Sequence, residues 1–236
     1  AYGALFTSQT PFVLSQTPYW GKHRLFDSLA DQFDLFVATQ PAVKWFDTTA
    51  ITQYFIPEGV KAHRHRSAAS ALAHIRNKLK EMPEEGRFFA WAHLYEPHAK
   101  YRAHRGFNFG KDKVSRYRSE IAYLDHQLGK FITWFYKQPF AEDTLVIVMG
   151  DHGQGLGEQV FGRAFWGHHV HVHNLVSRIP IFAAGPGLPR GAVRDELAVA
   201  QLDVMPTLFD GLGVSPPEEL YIQGYSIYHL LGNKIE

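Results

Sequence analysis

Val146-Ile147-Val148-Met149-Gly150-Asp151-His152-Gly153 sets an apolar run directly against a carboxylate and an imidazole. The run begins at Leu145 and is apolar at every position rather than at alternate ones. That pattern marks a strand buried on both faces, as in the middle of a parallel sheet. In open α/β sheets the chemistry gathers beyond the carboxyl ends of the strands, and Asp151 and His152 fall at that place. Gly150 and Gly153 are expected to let the backbone turn there and bring both side chains close to a bound ion or ester. Hard carboxylate oxygen beside imidazole nitrogen is a plausible half of a divalent-metal site. The competing reading makes Asp151 a cap of the next turn and His152 incidental.

Working outward, the same arrangement recurs upstream. Phe88-Phe89-Ala90-Trp91-Ala92-His93-Leu94 reads as a second buried strand, and it runs into Tyr95-Glu96-Pro97-His98-Ala99-Lys100-Tyr101. Between these strands Tyr117, Ile121, Leu124, Leu128, Phe131 and Phe135 form one stripe of a long helix, from about Ser115 to Gln138. Before them Ala68, Leu72, Ile75, Leu79 and Met82 form the stripe of another, starting near Ser67 and broken by residues 83–86. Leu35-Phe36-Val37-Ala38 and Ile179-Pro180-Ile181-Phe182-Ala183-Ala184 are further strands. Residues 204–212 read as a helix with Pro206 in its first turn. From Gly150 to Ser177 the expectation is a long loop rich in Gly and His. Strands alternating with helices imply an α/β domain, its mostly parallel sheet covered on both faces.

Bulk properties narrow the function classes. The 236 residues carry a formal charge of +1, which gives no electrostatic case for a nucleic-acid partner. With 45% hydrophobic residues a sizeable core can form. There is no Cys, so thiolate ligands, disulfides and a Cys nucleophile are excluded. No apolar run is long enough to span a bilayer as a helix. Three polar clusters follow or flank predicted strands: His93 with His98, Asp151 with His152, and His168 with its neighbours. If the strands are adjacent in one sheet, the clusters share one crevice. Imidazoles beside a metal suit a small anionic ester, since the ion polarises the ester and the imidazoles supply protons or positive charge.

Several motifs in order carry a family resemblance. FFAWAHLYEPHAKY (88–101), YRSEIAYLDHQLG (117–129), VIVMGDHGQGLGE (146–158), Trp166-Gly167-His168, RIPIFAAGPG (178–187), QLDVMPTLFDGLGV (201–214) and IQGYSI (222–227) together resemble the sulfatases of the alkaline phosphatase superfamily. The resemblance implies an alkaline-phosphatase-like three-layer α/β sandwich over residues 1–236 as a single, N-terminally incomplete catalytic domain. It implies hydrolysis of sulfate esters with a divalent ion, Ca2+ by family habit. His152 in place of the commoner Asn leaves Mn2+ or Zn2+ open. By the same resemblance Asp151 and His152 are metal ligands, His168 and His98 touch the substrate and serve catalysis, and His93 is a second catalytic candidate in the loop of His98. A packed histidine at a strand end is the equal alternative for His93.

The departures are specific. The family's Cys/Ser-x-Pro-x-Arg nucleophile motif and its N-terminal acidic metal pair are absent. The chain is therefore expected to be the later part of a catalytic domain, inactive alone. Its open rivals are a phosphodiesterase, phosphonate monoester hydrolase or phosphoalkyl transferase of the superfamily, and a non-catalytic binding protein. Family analogy implies an extracytoplasmic location; the oligomeric state is open. In the His168–His173 run, alternation places His169, His171 and His173 on one face, as either a second metal site or a solvated loop. His63 and His65 read as a solvated face, Asp203 as a helix N-cap or first-turn residue, and Trp91 and Trp134 as core.

Overall fold

The computed structural model describes residues 25–40, 59–168, 172–195, 198–216 and 222–232. Its centre is a parallel sheet in the order β2 (Ala62–Arg64), β1 (Asp34–Thr39), β3 (Phe88–His93). Asp34 pairs with Phe88 and Thr39 with His93, so β1 and β3 run in register to their carboxyl ends. Successive side chains of a strand point to opposite faces, and here both faces are covered. Leu35, Phe89 and Trp91 pack on a cluster built from Leu29 and Phe33, around helix α1 (Leu25–Ala30), and from Met205 and Phe209 of helix α5 (Gln201–Leu212). Phe36, Ala38, Phe88, Ala90 and Ala92 face the other way. They meet Ala71, Ile75 and Leu79 of α2 (Ala68–Glu81) and Phe131, Trp134 and Phe135 of α3 (Lys113–Phe135). This is why β1 and β3 carry apolar residues without alternation: each face has its own layer of helix.

Helix boundaries follow local chemistry. Ser67 caps α2 by accepting the N–H of Ser70, and Ser70 returns the bond to the N–H of Ser67. Asp112 caps α3 through the N–H of Ser115. The stripe expected on α3 holds only in part. Phe135 is buried, but Ile121 is 42% exposed, and the fully covered residues in that turn are Ser119 and Glu120. Helix α5 starts at Gln201 rather than 204, so Pro206 lies past the first turn. Asp203 is a first-turn residue whose carboxylate accepts the N–H of Ala200 and that of Tyr225. Trp91 and Trp134 pack against the two cores as expected.

The second half departs more. Strand β4 (Val146–Met149) pairs antiparallel with β7 (Ile181–Ala184), Met149 opposite Ile181, where a central parallel strand was expected. Both β3 and β4 are half-buried rather than buried. The expected loop after Gly150 contains a hairpin, β5 (Gly155–Val160) with β6 (Arg163–Gly167), and a short helix α4 (Asn174–Ser177). The hairpin turns on Phe161 and Gly162, both at positive φ, as a two-residue connection requires. Helix α6 (Tyr228–Gly232) closes the described chain. No helix among the described residues is long and apolar enough to cross a membrane.

Candidate active site

Asp151 and His152 stand immediately beyond β4, as the sequence places them. Gln201, the first residue of α5, fixes this turn: its side-chain amide donates to the carbonyl of Asp151 at 2.7 Å and to that of Gly150 at 3.3 Å. Gly153 donates to the carbonyl of Val176 at 2.7 Å. A Cβ on Gly153 would stand 2.2 Å from the carbonyl oxygen of Leu175, so only glycine fits. Gly150 has no such need, since a Cβ there would meet its neighbours at 3.5 Å. The turn therefore depends on one of the two glycines singled out in the sequence.

The donor atoms are arranged by their partners. One Asp151 oxygen accepts the backbone N–H of His152 at 2.9 Å. The other lies 3.5 Å from Nε2 of His152. Nδ1 of His152 is 2.8 Å from the carbonyl of Gly153. A carbonyl only accepts, so Nδ1 carries the proton and Nε2 keeps a lone pair on the side of Asp151. Two donors 3.5 Å apart fit one ion at ordinary bond lengths of about 2.0–2.4 Å. Among the described residues no third His, Asp or Glu completes a metal-holding group. The pair fits half of a divalent-ion site.

His168 follows β6, and its ring stacks on His152 with centroids 3.8 Å apart. Its Nδ1 lies 2.9 Å from the side-chain oxygen of Gln154. That acceptor places the proton on Nδ1. His98 lies flat on Tyr95 at 4.1 Å, and Tyr95 meets His93 edge-on at 6.1 Å. His93 packs beside Trp91. Burial depresses the basicity of His93; Asp151 opposes that effect and His98 adds to it. Burial and then Asp151 push the Tyr117 phenol up.

β3 and β4 are paired into separate sheets, yet the charge of Asp151 acts on both His93 and Tyr117. Ring contacts join His152 to His168, and His93 and His98 to Tyr95. Gln154, Gln201 and Tyr117 bear on these residues too and were missed. Tyr117 was read as one of the apolar stripe; the Gln residues carry no sequence signal of their own. Of the histidine run, His169 and His171 lie outside the described residues, while His173 caps α4 by accepting the N–H of Leu175. His63 and His65 are half-buried against His74, with ring centroids 4.1 and 5.0 Å away, rather than on a solvated face.

The family model described as Sulfatase matches residues 8–214. Choline-sulfatase of Rhizobium meliloti (strain 1021) is 32% identical over 119 residues, covering 49% of this chain and 22% of that protein. The first curated relatives are covered over only 19–34% of their own length. Among solved structures, the lipoteichoic acid synthase LtaP of Listeria monocytogenes superposes with a TM-score of 0.71 at 17% identity, over 96% of this chain and 62% of that one. The phosphonate monoester hydrolase SpPMH of Silicibacter pomeroyi gives 0.65 at 14% identity, over 100% and 67%. The fold is the α/β, alkaline-phosphatase-like class expected from the sequence.

Proposed function

Because this chain belongs to the sulfatase family, we propose that it serves a metal-dependent hydrolase of sulfate esters. The observation that carries the reading is the Asp151–His152 donor pair with the His168 ring stacked against it. In this reading Asp151 and the lone pair of His152 hold a divalent ion, with Ca2+ first by family habit and Mn2+ or Zn2+ allowed by the nitrogen donor. When bound, that ion lowers the cost of charge on the ester oxygens and on the attacking group. Gln201 keeps the Asp151 turn in place. His168, oriented by Gln154, presents Nε2 to the anionic oxygens. His98, stacked on Tyr95, is assigned to hand a proton to the leaving oxygen. His93 stays neutral between His98 and Asp151 and orders the strand end. The sequence holds no Cys/Ser-x-Pro-x-Arg nucleophile segment, so the assay belongs to the natural full-length protein.

A second reading, cleavage of a phosphate or phosphonate ester, is favoured by the nitrogen donor at His152 and by the likeness to SpPMH. Both readings share the metal test. Asp151→Ala in the full-length protein should weaken divalent-ion affinity at least 10²-fold by calorimetry. Unchanged affinity would remove Asp151 from the metal site.

A further inference from the structure

Gln40, the residue directly after β1, has a polar side chain that the proposed chemistry leaves unused, although the residue is only 4% exposed. Its backbone N–H donates to the carbonyl of His93 at 3.2 Å, one step beyond the Thr39–His93 pair that ends the ladder. A parallel ladder carried one bond further would give the N–H of Tyr95 to the main-chain carbonyl of Gln40. The side-chain oxygen of Gln40 takes that N–H instead. Gln40 thus grips the chain leaving β3 at two points, and Tyr95 is held where the strand has already ended. Glu96 is held as well. Both of its carboxylate oxygens accept the N–H of Ala68, at 3.2 and 3.3 Å, in the first turn of α2, where negative charge suits the helix dipole. Further along, Glu120 of α3 accepts the N–H of Arg102 at 3.0 Å.

What this grip fixes is a ring platform. The His98 imidazole lies on the Tyr95 phenol, with centroids 4.1 Å apart and planes 18° from parallel. Nδ1 of His98 is bonded to the carbonyl of Ala99. A carbonyl only accepts, so the nitrogen left for proton transfer is Nε2. We propose that Gln40 is a positioning residue: by holding the N–H of Tyr95 it sets the phenol on which His98 lies, and so aims the imidazole assigned to protonate the leaving oxygen. Without the Gln40 oxygen, the Tyr95 N–H loses that acceptor in a half-buried place, and a main-chain donor so placed shifts to find another. The stack passes the shift to His98, and a misplacement of about 1 Å costs a reacting group about 10²-fold in rate. The inference rests on the proton transfer proposed for His98, but the positioning itself is measurable without substrate.

The test compares Gln40→Met, which keeps the length and removes the acceptor, with Gln40→Glu, which offers an oxygen to the same N–H whether charged or neutral. Both are made in the natural full-length protein. The first readout is the His98 ring proton resonances, assigned by their loss in His98→Ala. In wild type the Tyr95 ring shifts them upfield. They should move toward the free-histidine position in Gln40→Met and return in Gln40→Glu; unmoved resonances in Gln40→Met would overturn the positioning role. The second readout is kinetic, since a general acid matters more as the leaving oxygen becomes more basic. Gln40→Met should lower kcat about 10²-fold for phenyl sulfate and about threefold for 4-nitrophenyl sulfate, with KM within about twofold for both. Gln40→Glu should restore both esters to within about threefold of wild type. An equal loss on the two esters, or a full Gln40→Met loss on top of His98→Ala, would make Gln40 merely structural. If Gln40→Met fails to fold, Gln40→Asn, its oxygen one C–C bond or about 1.5 Å short, is read in the same way. Resonances that move as stated, with His98→Ala indifferent to the leaving group, would sink the proton transfer and leave the positioning standing. Unmoved resonances with a His98→Ala loss that grows with leaving-group basicity would do the reverse.

Discussion

His152 and His168 show how single contacts decide what an imidazole can do. Each has its Nδ1 committed to an oxygen acceptor, the Gly153 carbonyl and the Gln154 amide, so the chemistry proposed for each falls to Nε2. His168→Ala should therefore lower kcat/KM for the anionic ester by about 10²-fold in the full-length enzyme, as loss of one donor to developing charge does. Wild-type kinetics would make His168 a bystander. Glu120 gives a prediction about stability. Its carboxyl is raised from the ordinary 4.5 to about 7. Its favourable contribution is complete below about 4.5 and is lost as pH rises through 7. Glu120→Gln should gain on wild type between pH 5 and 8, by about 3 kcal/mol at most, in denaturant titrations at the two pH values. An equal offset at both pH values would show that Glu120 does not titrate in that range. The residues proposed for the site were legible because type and strand-end position coincide in Asp151, His152 and His98. Glu120 was not, since a lone Glu in a helical stripe looks like any solvated charge.

Among the elements, β1 and α2 match their sequence patterns closely and β3 and α3 match in position, because periodicity and capping residues act locally, although the α3 stripe is only partly buried. The pairing of β4 with β7 was not legible: an apolar run of four residues reads alike in a parallel or an antiparallel setting. The β5–β6 hairpin was hidden because its turn is Phe161-Gly162 rather than the usual Asn-Gly, and its strands carry three glycines and charges instead of alternating apolar residues. The turn after β4 offers a sharp test at this scale. Gly153→Ala would drive a methyl into the carbonyl of Leu175, 2.2 Å away, whereas Gly150→Ala meets nothing closer than 3.5 Å. Gly153→Ala should cost about 2 kcal/mol or more and displace His152, while Gly150→Ala should be nearly neutral. Paired thermal-melting curves distinguish them; equal effects would contradict the close approach of α4 to the turn.

Across the whole molecule, two apolar layers on opposite faces of β1 and β3 fix where the strand ends stop, and the site sits at that edge. One layer joins α1 to α5, and α5 in turn supplies Gln201 to the Asp151 turn. The other joins α2 to α3, and α3 supplies Tyr117 to the site and Glu120 to the loop beside it. Fold and site are thus built by the same helices. The class of fold could be read from the order of strands and helices, but the influence of Asp151 on His93 needed the structure, since β3 and β4 are paired in different sheets. The most direct test of the account is sulfate release from an aryl sulfate by the natural full-length protein, with and without chelator and with Asp151→Ala alongside. The account predicts release that chelation abolishes and added divalent ion restores, with Asp151→Ala at least 10³-fold slower. Sulfate release that ignores chelator and Asp151→Ala alike, or cleavage of phosphate esters with none of sulfate esters, would contradict it.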